Sequence, residues 1–160
     1  MADRLDRTEF SWNVHSYLNE YIRHADTKAE LVIAWTSALV GALVAGKYQD
    51  KFDYSLSGIM SLAGFLLLVS GFITAFQCVK PRLKSLQIPG FIFWDSILAH
   101  KDRDTFLGEF ANLSDESLGQ HVSQHLFDLS NVAHAKYWWV GISIRLACAG
   151  SLLSGLMYLL

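Results

Sequence analysis

Two stretches of the chain carry no charge, and a third carries a single one. Residues 31–46 and 54–79 contain no Asp, Glu, Lys or Arg, and residues 137–160 contain only Arg145. Crossing ~30 Å of hydrocarbon takes about 20 predominantly apolar residues in a helix, because lipid offers no partner to an unbonded backbone group. Three such runs argue against a soluble globular fold and predict transmembrane spans at 31–46, 55–79 and 138–160. Overall composition is less telling. Hydrophobic residues make up 52% of the chain, little above the roughly 45–50% of soluble domains, so their placement decides. A chain of 160 residues predicts a single domain, 1–160. A net charge of −2 supplies no basic field for nucleic acid.

The first run does not read as a signal peptide. It begins behind Asp3, Asp6, Glu9, Glu20, Asp26 and Glu30, where a signal requires a short basic start. Orientation follows from the loop Lys and Arg residues. Arg4, Arg7, Arg23 and Lys28 precede the first span, while the connector after it has Lys47 and Lys51 balanced by Asp50 and Asp53. Lys80, Arg82, Lys84, Lys101, Arg103 and Lys136 follow the second span. This bias predicts a cytoplasmic N-terminus, a cytoplasmic segment 80–137 and an outside C-terminus. Cys78 and Cys148 fall at the cytoplasmic ends of their spans, where thiols stay reduced, and read as small apolar core residues.

Residues 8–30 form an amphipathic pattern, with Phe10, Val14, Tyr17, Leu18, Tyr21, Ile22 and Ala25 recurring at helical spacing. No helix breaker stands between Arg23 and Gly46, so a cytoplasmic helix over 1–30 continues into the first span, with a length on the order of 50 Å. Pro81 stops the second span, and Pro89-Gly90 marks a turn before the apolar Phe91-Ile92-Phe93-Trp94. Asp102 is placed to cap a short helix burying Phe106, Phe110 and Leu113. Ser114 is placed to cap a longer one, with Asp115 and Glu116 in its first turn. Its stripe of Leu118, Val122, Leu126, Leu129 and Ala133 meets no proline before the third span. The predicted fold is therefore an all-α membrane protein, with long amphipathic cytoplasmic helices continuing into a three-span bundle. Ladders of small residues run along two spans: Ser37, Gly41 and Ala45 in the first, with Ala147, Ser151 and Gly155, and also Gly150 and Ser154, in the third. Small residues four apart let helices approach closely in lipid, which favours a tight bundle and self-association.

Enzyme signatures are absent: there is no Gly-rich phosphate loop, no nucleophile elbow and no Cys/His nucleophile arrangement. His121 and His125 have zinc-pair spacing, but Val122-Ser123-Gln124 between them lacks a glutamate and no third ligand is evident. They read as helix-surface histidines, and neither a metal nor a cofactor is expected. Arg145 is the costliest residue, because it lies within a span. It either snorkels to the headgroups or pairs with Glu30, Asp26 or a bound anion. Arg23, Asp26, Lys28 and Glu30 crowd the start of the first span, and Lys80, Arg82 and Lys84 the end of the second. Contact with lipid phosphates and a specific phosphate ligand are both open to such clusters.

Several short motifs, in order along nearly the whole chain, resemble one family. They are His24-Ala25-Asp26-Thr27-Lys28-Ala29 ahead of the first span, Lys80-Pro81-Arg82 after the second, the segment 91–97, and Phe110-Ala111-Asn112-Leu113-Ser114-Asp115-Glu116. Lys136-Tyr137 and Arg145-Leu146-Ala147 complete the set. Together they resemble the transmembrane effectors of Pycsar antiphage defence. Phe93-Trp94-Asp95 departs from that pattern, where Tyr or Phe followed by Gly is usual. The resemblance implies a bacterial inner-membrane protein that senses cyclic CMP or cyclic UMP made by a partner cyclase. It then impairs the membrane, so that the infected cell halts before phage matures. No separate nucleotide-binding β-roll fits in this length, so the sensor would be the helical cytoplasmic layer. A phosphate calls for a cation and a base for an aromatic face. The implied ligand set is therefore Arg23, Lys28 and Arg82 with Trp94 and Tyr137, extended by Asp26 and Arg145, with Arg82 foremost. Three spans enclose little, which implies a homo-oligomer. A constitutive channel subunit or a ligand-free membrane scaffold are the competing readings.

Overall fold

The computed structural model describes residues 7–46, 50, 52–80 and 89–159, with only the backbone described for Arg7, Thr8, Trp94 and Tyr158. Five helices are present among the described residues: α1 (Arg7–Ala45), α2 (Leu56–Val79), α3 (Trp94–Leu98), α4 (Arg103–Ala111) and α5 (Asp115–Leu159). The protein is all-α, and α1, α2 and α5 are each long and apolar enough to cross a membrane. At 39 and 45 residues, α1 and α5 are unbroken helices of about 58 and 68 Å.

Local chemistry sets the helix ends. Ser55 caps α2 by accepting from the Gly58 amide at 3.1 Å, and Asp53 in turn accepts from the Ser55 amide at 3.0 Å and from its hydroxyl. The helix stops at Val79 because a residue before proline is pushed out of the α region; Lys80, preceding Pro81, has ψ 126°. Asp102 accepts from the Thr105 amide at 2.7 Å to start α4, and Ser114 accepts from the Ser117 amide at 3.2 Å to start α5. The hydrogen bond to Thr105 holds the Asp102 carboxyl below its ordinary range.

The chain divides into two compact units, one drawn from Met1–Tyr21 and Pro81–Ala133, the other from Ile22–Lys80 and His134–Leu160. In the first, Phe91 is the centre of an aromatic cluster, with ring centroids 5.4 Å from His100, 5.9 Å from Phe106, 6.0 Å from Phe110 and 5.3 Å from His121. His100 is buried in this cluster. Its Nδ1 lies 3.0 Å from the Ile97 carbonyl, and its Nε2 approaches Glu109 Oε2 at 3.3 Å without hydrogen-bond geometry. Sequence periodicity overestimates the buried face of α1 here. Val14 and Leu18 are half-buried, but Phe10, Tyr17 and Tyr21 are exposed, as is Phe110 on α4. The apolar stripe is wider than the neighbouring helices cover.

The second unit is an up-down-up bundle of α1, α2 and α5. Its inward stripes are Ala25, Ala29, Val32 and Thr36 on α1, and Ser61, Gly64, Leu68, Gly71, Ala75 and Cys78 on α2. On α5 the stripe is Val140, Ser143, Ala147, Gly150, Ser154 and Met157. Steps alternate between three and four residues, the spacing of left-handed helix packing. Nearly all these residues are small, and contact is backbone to backbone. A Cβ on Gly71 would lie 3.0 Å from the Ala147 amide, and one on Gly150 would lie 2.7 Å from the Leu68 amide. Buried hydroxyls are returned to their own helices: Thr36, at 0% exposure, bonds the Val32 carbonyl at 2.7 Å, and Ser143 the Val140 carbonyl at 2.9 Å. The ladders therefore part company. Ala147, Gly150 and Ser154 are used inside the chain, whereas Ser37, Gly41 and Ala45 face outward.

Gly150→Ala is expected to destabilise the bundle by about 1–3 kcal/mol, because the added methyl meets backbone that has nowhere to move. A Cβ on Gly41 meets nothing within 4 Å, so Gly41→Ala is expected to leave the bundle at least as stable, by up to about 1 kcal/mol more. Denaturant titration followed by circular dichroism in detergent checks both.

Candidate functional site

The charged residues that matter gather at one end of the second unit, where Ala25 and Ala29 of α1, Ala75 and Cys78 of α2, and Val140 of α5 form its buried cluster. Small side chains bring three helices together here, and Lys136, one turn before Val140 on α5, fills the remaining position. Its ammonium forms an ion pair with Asp26 and donates to the Cys78 carbonyl at 3.1 Å. That carbonyl lies in the last turn of α2, at the negative end of its dipole, which has no basic residue of its own there. One cation thus serves a carboxylate on one helix and the C-terminus of another. The Cys78 thiol closes the junction, 3.5 Å from the Lys136 carbonyl and 3.9 Å from that of Ala25. Beside this junction, Lys28 Nζ lies 5.3 Å from the centroid of the Tyr137 ring, a cation–π contact between α1 and α5.

The structure therefore brings together Asp26, Lys28 and Tyr137. Arg23 is exposed on α1, where its carbonyl accepts from the Thr27 hydroxyl at 3.1 Å. Arg82 lies outside the described residues. Trp94 opens α3 in the other unit, with its side chain not described. Arg145 is exposed, about 13 Å further along α5 than Lys136. No ion pair of Arg145 with Asp26 or Glu30 is found among the described residues: α1 and α5 run parallel, and Asp26 lies level with Lys136, which it pairs with instead. Lys136 entered the count of loop charges but not the implied ligand set. The signal for it was present in the adjacent Lys136-Tyr137 motif, but its partner is 110 positions away.

In the first unit the histidines have a different use. Trp12 stacks on His15 at 5.5 Å, and His15 lies 5.4 Å from His125, joining α1 to α5. His121, one turn before His125, packs its ring edge to face with Phe91. No group of three His, Cys, Asp or Glu side chains able to hold a metal occurs among the described residues. Burial, and then the neighbouring His15, hold His125 below its ordinary value of 6.5, while Asp128 opposes the shift.

Continuous helices crossing an apolar bundle, with a charged junction at its end, define a multi-pass membrane protein. Residues 10–160 match the family described as the Pycsar effector protein domain. The chain is also similar to the Pycsar effector protein SaPycTM of Staphylococcus aureus, at 31% identity over 122 residues, 76% of this chain and 75% of that protein. The chain belongs to the Pycsar effector family. No solved structure matches it.

His125 makes the first unit sensitive to acid. A histidine with a lowered folded-state value binds its proton less readily folded than unfolded. The stability it contributes is therefore present above its ordinary value and is lost as pH falls through the lowered one. Thermal unfolding in detergent is expected to occur at lower temperature at about pH 5.5 than at about pH 7.5. His125→Gln is expected to reduce that difference.

Proposed function

We propose that this protein is a cyclic-pyrimidine-nucleotide-activated effector that impairs the bacterial inner membrane in abortive antiphage defence. Family membership over residues 10–160, joined to three helices able to span a membrane, is the observation that carries this reading. A partner cyclase supplies cyclic CMP or cyclic UMP. The N-terminus and the segment between the second and third spans lie in the cytoplasm, in keeping with the Lys and Arg residues flanking the spans. The nucleotide is an anion, and Arg23, Lys28 and Arg82 are cations near the span ends that suit its phosphate. The partly buried ring of Tyr137 beside Lys28 offers an aromatic surface of the kind a base stacks on. Several copies act together. The outward ladder of Ser37, Gly41 and Ala45 supports close approach of a second chain, because small side chains let backbones meet in lipid.

Titration calorimetry of the purified full-length protein is expected to show binding of cyclic CMP or cyclic UMP, and weaker binding by Arg82→Ala. Binding of neither nucleotide by the wild type would overturn the reading. In cells, growth arrest is expected only when the matching cyclase is co-expressed. Arrest without nucleotide would favour a constitutive channel instead. A periplasm-dependent reporter fused after Leu160 is expected to be active, since three spans from a cytoplasmic start end outside.

A further inference from the structure

The bundle end holds a cation whose carboxylate partner is more exposed than the cation itself. Lys136 is 13% exposed at its side chain, while Asp26 is 30% exposed. An ammonium withdrawn from water needs compensating charge, and removing its partner leaves it uncompensated. Asp26 supplies that charge, with the Cys78 carbonyl as an additional acceptor at 3.1 Å. The more solvated side of the pair is the carboxylate's, so an anion arriving from water reaches Lys136 by way of Asp26. A carboxylate and a phosphodiester are both oxygen monoanions that accept charge-assisted hydrogen bonds, and they compete for one ammonium.

The contacts around the pair make this competition consequential. Ala25, Ala29, Ala75 and Cys78 are small, and Val79, Tyr137 and Trp139 pack against their cluster. The Cys78 thiol contributes weak hydrogen bonds, at 3.5 and 3.9 Å. Among the described residues, the ion pair is a charged tie between α1 and α5 at the end of α2.

We propose that Lys136 seats the phosphodiester of the activating nucleotide, and that Asp26 occupies that seat in the resting protein, so binding unfastens α1 from α5 and α2. This rests on the nucleotide reading given above. A ligand shifts a conformational equilibrium only by its differential affinity for the two states. Here the difference has a physical source: with the helices fastened the anion position on Lys136 is filled, and with them apart it is vacant. The ligand and the opened junction therefore favour one another.

The test is dye release from phosphatidylcholine vesicles, and from vesicles of phosphatidylethanolamine with phosphatidylglycerol, each carrying the full-length protein. Each is measured with cyclic CMP, with cyclic UMP and with neither. Wild type is expected to release dye only with a nucleotide. Asp26→Asn, which removes the resident anion, is expected to release dye without nucleotide on the order of tenfold faster than wild type, within the usual range of coupling between sites. Circular dichroism of Asp26→Asn in detergent is expected to keep the helix content of wild type, which separates loss of the tie from loss of the fold. Lys136→Gln removes the tie and the seat together, and is expected to release dye without nucleotide and to respond no further when nucleotide is added. If Asp26→Asn stays as quiet as a responsive wild type, the fastening role is wrong while the nucleotide reading stands. A normal nucleotide response by Lys136→Gln overturns the phosphate seat. Release by wild type without nucleotide, confined to phosphatidylglycerol vesicles, assigns the seat to lipid phosphate and overturns the proposal. A wild type inert to both nucleotides beside a leaky Asp26→Asn rejects the nucleotide reading and the seat together, leaving only the ion pair as a tie.

Discussion

In hydrocarbon, burying leucine against leucine gains little over leaving it against lipid, so three spans cohere through close backbone approach and polar contacts. That constraint accounts for the composition of the bundle interior. Gly64, Gly71 and Ala75 on α2 face Ala147, Gly150 and Ser154 on α5, and a single added carbon at Gly150 would press into the Leu68 backbone. Of the bulky residues of α2, Leu68 is buried, whereas Leu62, Leu66, Ile73 and Phe76 are exposed. This inverts the arrangement of a water-soluble bundle and follows from the change of solvent. Ser154 is the residue where the packing is least complete. It is 3% exposed, and its hydroxyl lacks a hydrogen-bond partner among the described residues, beside a cleft lined by Leu39, Leu43 and Gly155.

Such an interior has few ways to hold a polar group, and, Ser154 aside, several are answered locally. Thr36, Ser143 and Ser151 bond carbonyls of their own helices three or four residues back. Lys136 is the exception, because its partners come from two other helices. Its position at the bundle end, where solvent reaches Asp26, is what permits a charge there at all. The same position leaves Asp26 more exposed than the ammonium it pairs with.

The first unit is built on a different principle. Its helices meet through aromatic and imidazole rings: Phe91 with His100, Phe106, Phe110 and His121, and Trp12 with His15 and then His125. Rings provide large contact area and directional edge-to-face geometry, which suits short helices such as α3 and α4 with little length to pack. They also leave histidines sharing one contact, which ties the stability of this unit to proton concentration.

Much of this was legible in the sequence. Charge-free runs located the three apolar helices, since helical hydrogen bonding within a segment is a local matter that lipid makes obligatory. Ser114 with Asp115 and Glu116, Asp102, and Pro81 after Lys80 marked helix ends for equally local reasons. The motifs around His24–Ala29 and Lys136-Tyr137 carried the family. The ladder of Ser37, Gly41 and Ala45 and that of Gly150 and Ser154 looked equivalent along the chain, yet one faces outward and the other lies buried. The stripe of α1 looked continuous from Phe10 to Ala25, yet Phe10, Tyr17 and Tyr21 are uncovered. Arg145 stood out as the charge in need of a partner, while Lys136 received Asp26. Each of these outcomes depends on which helix lies beside which, and at what height. Spacing along one helix determines which residues share a face; only packing of three helices decides what that face meets.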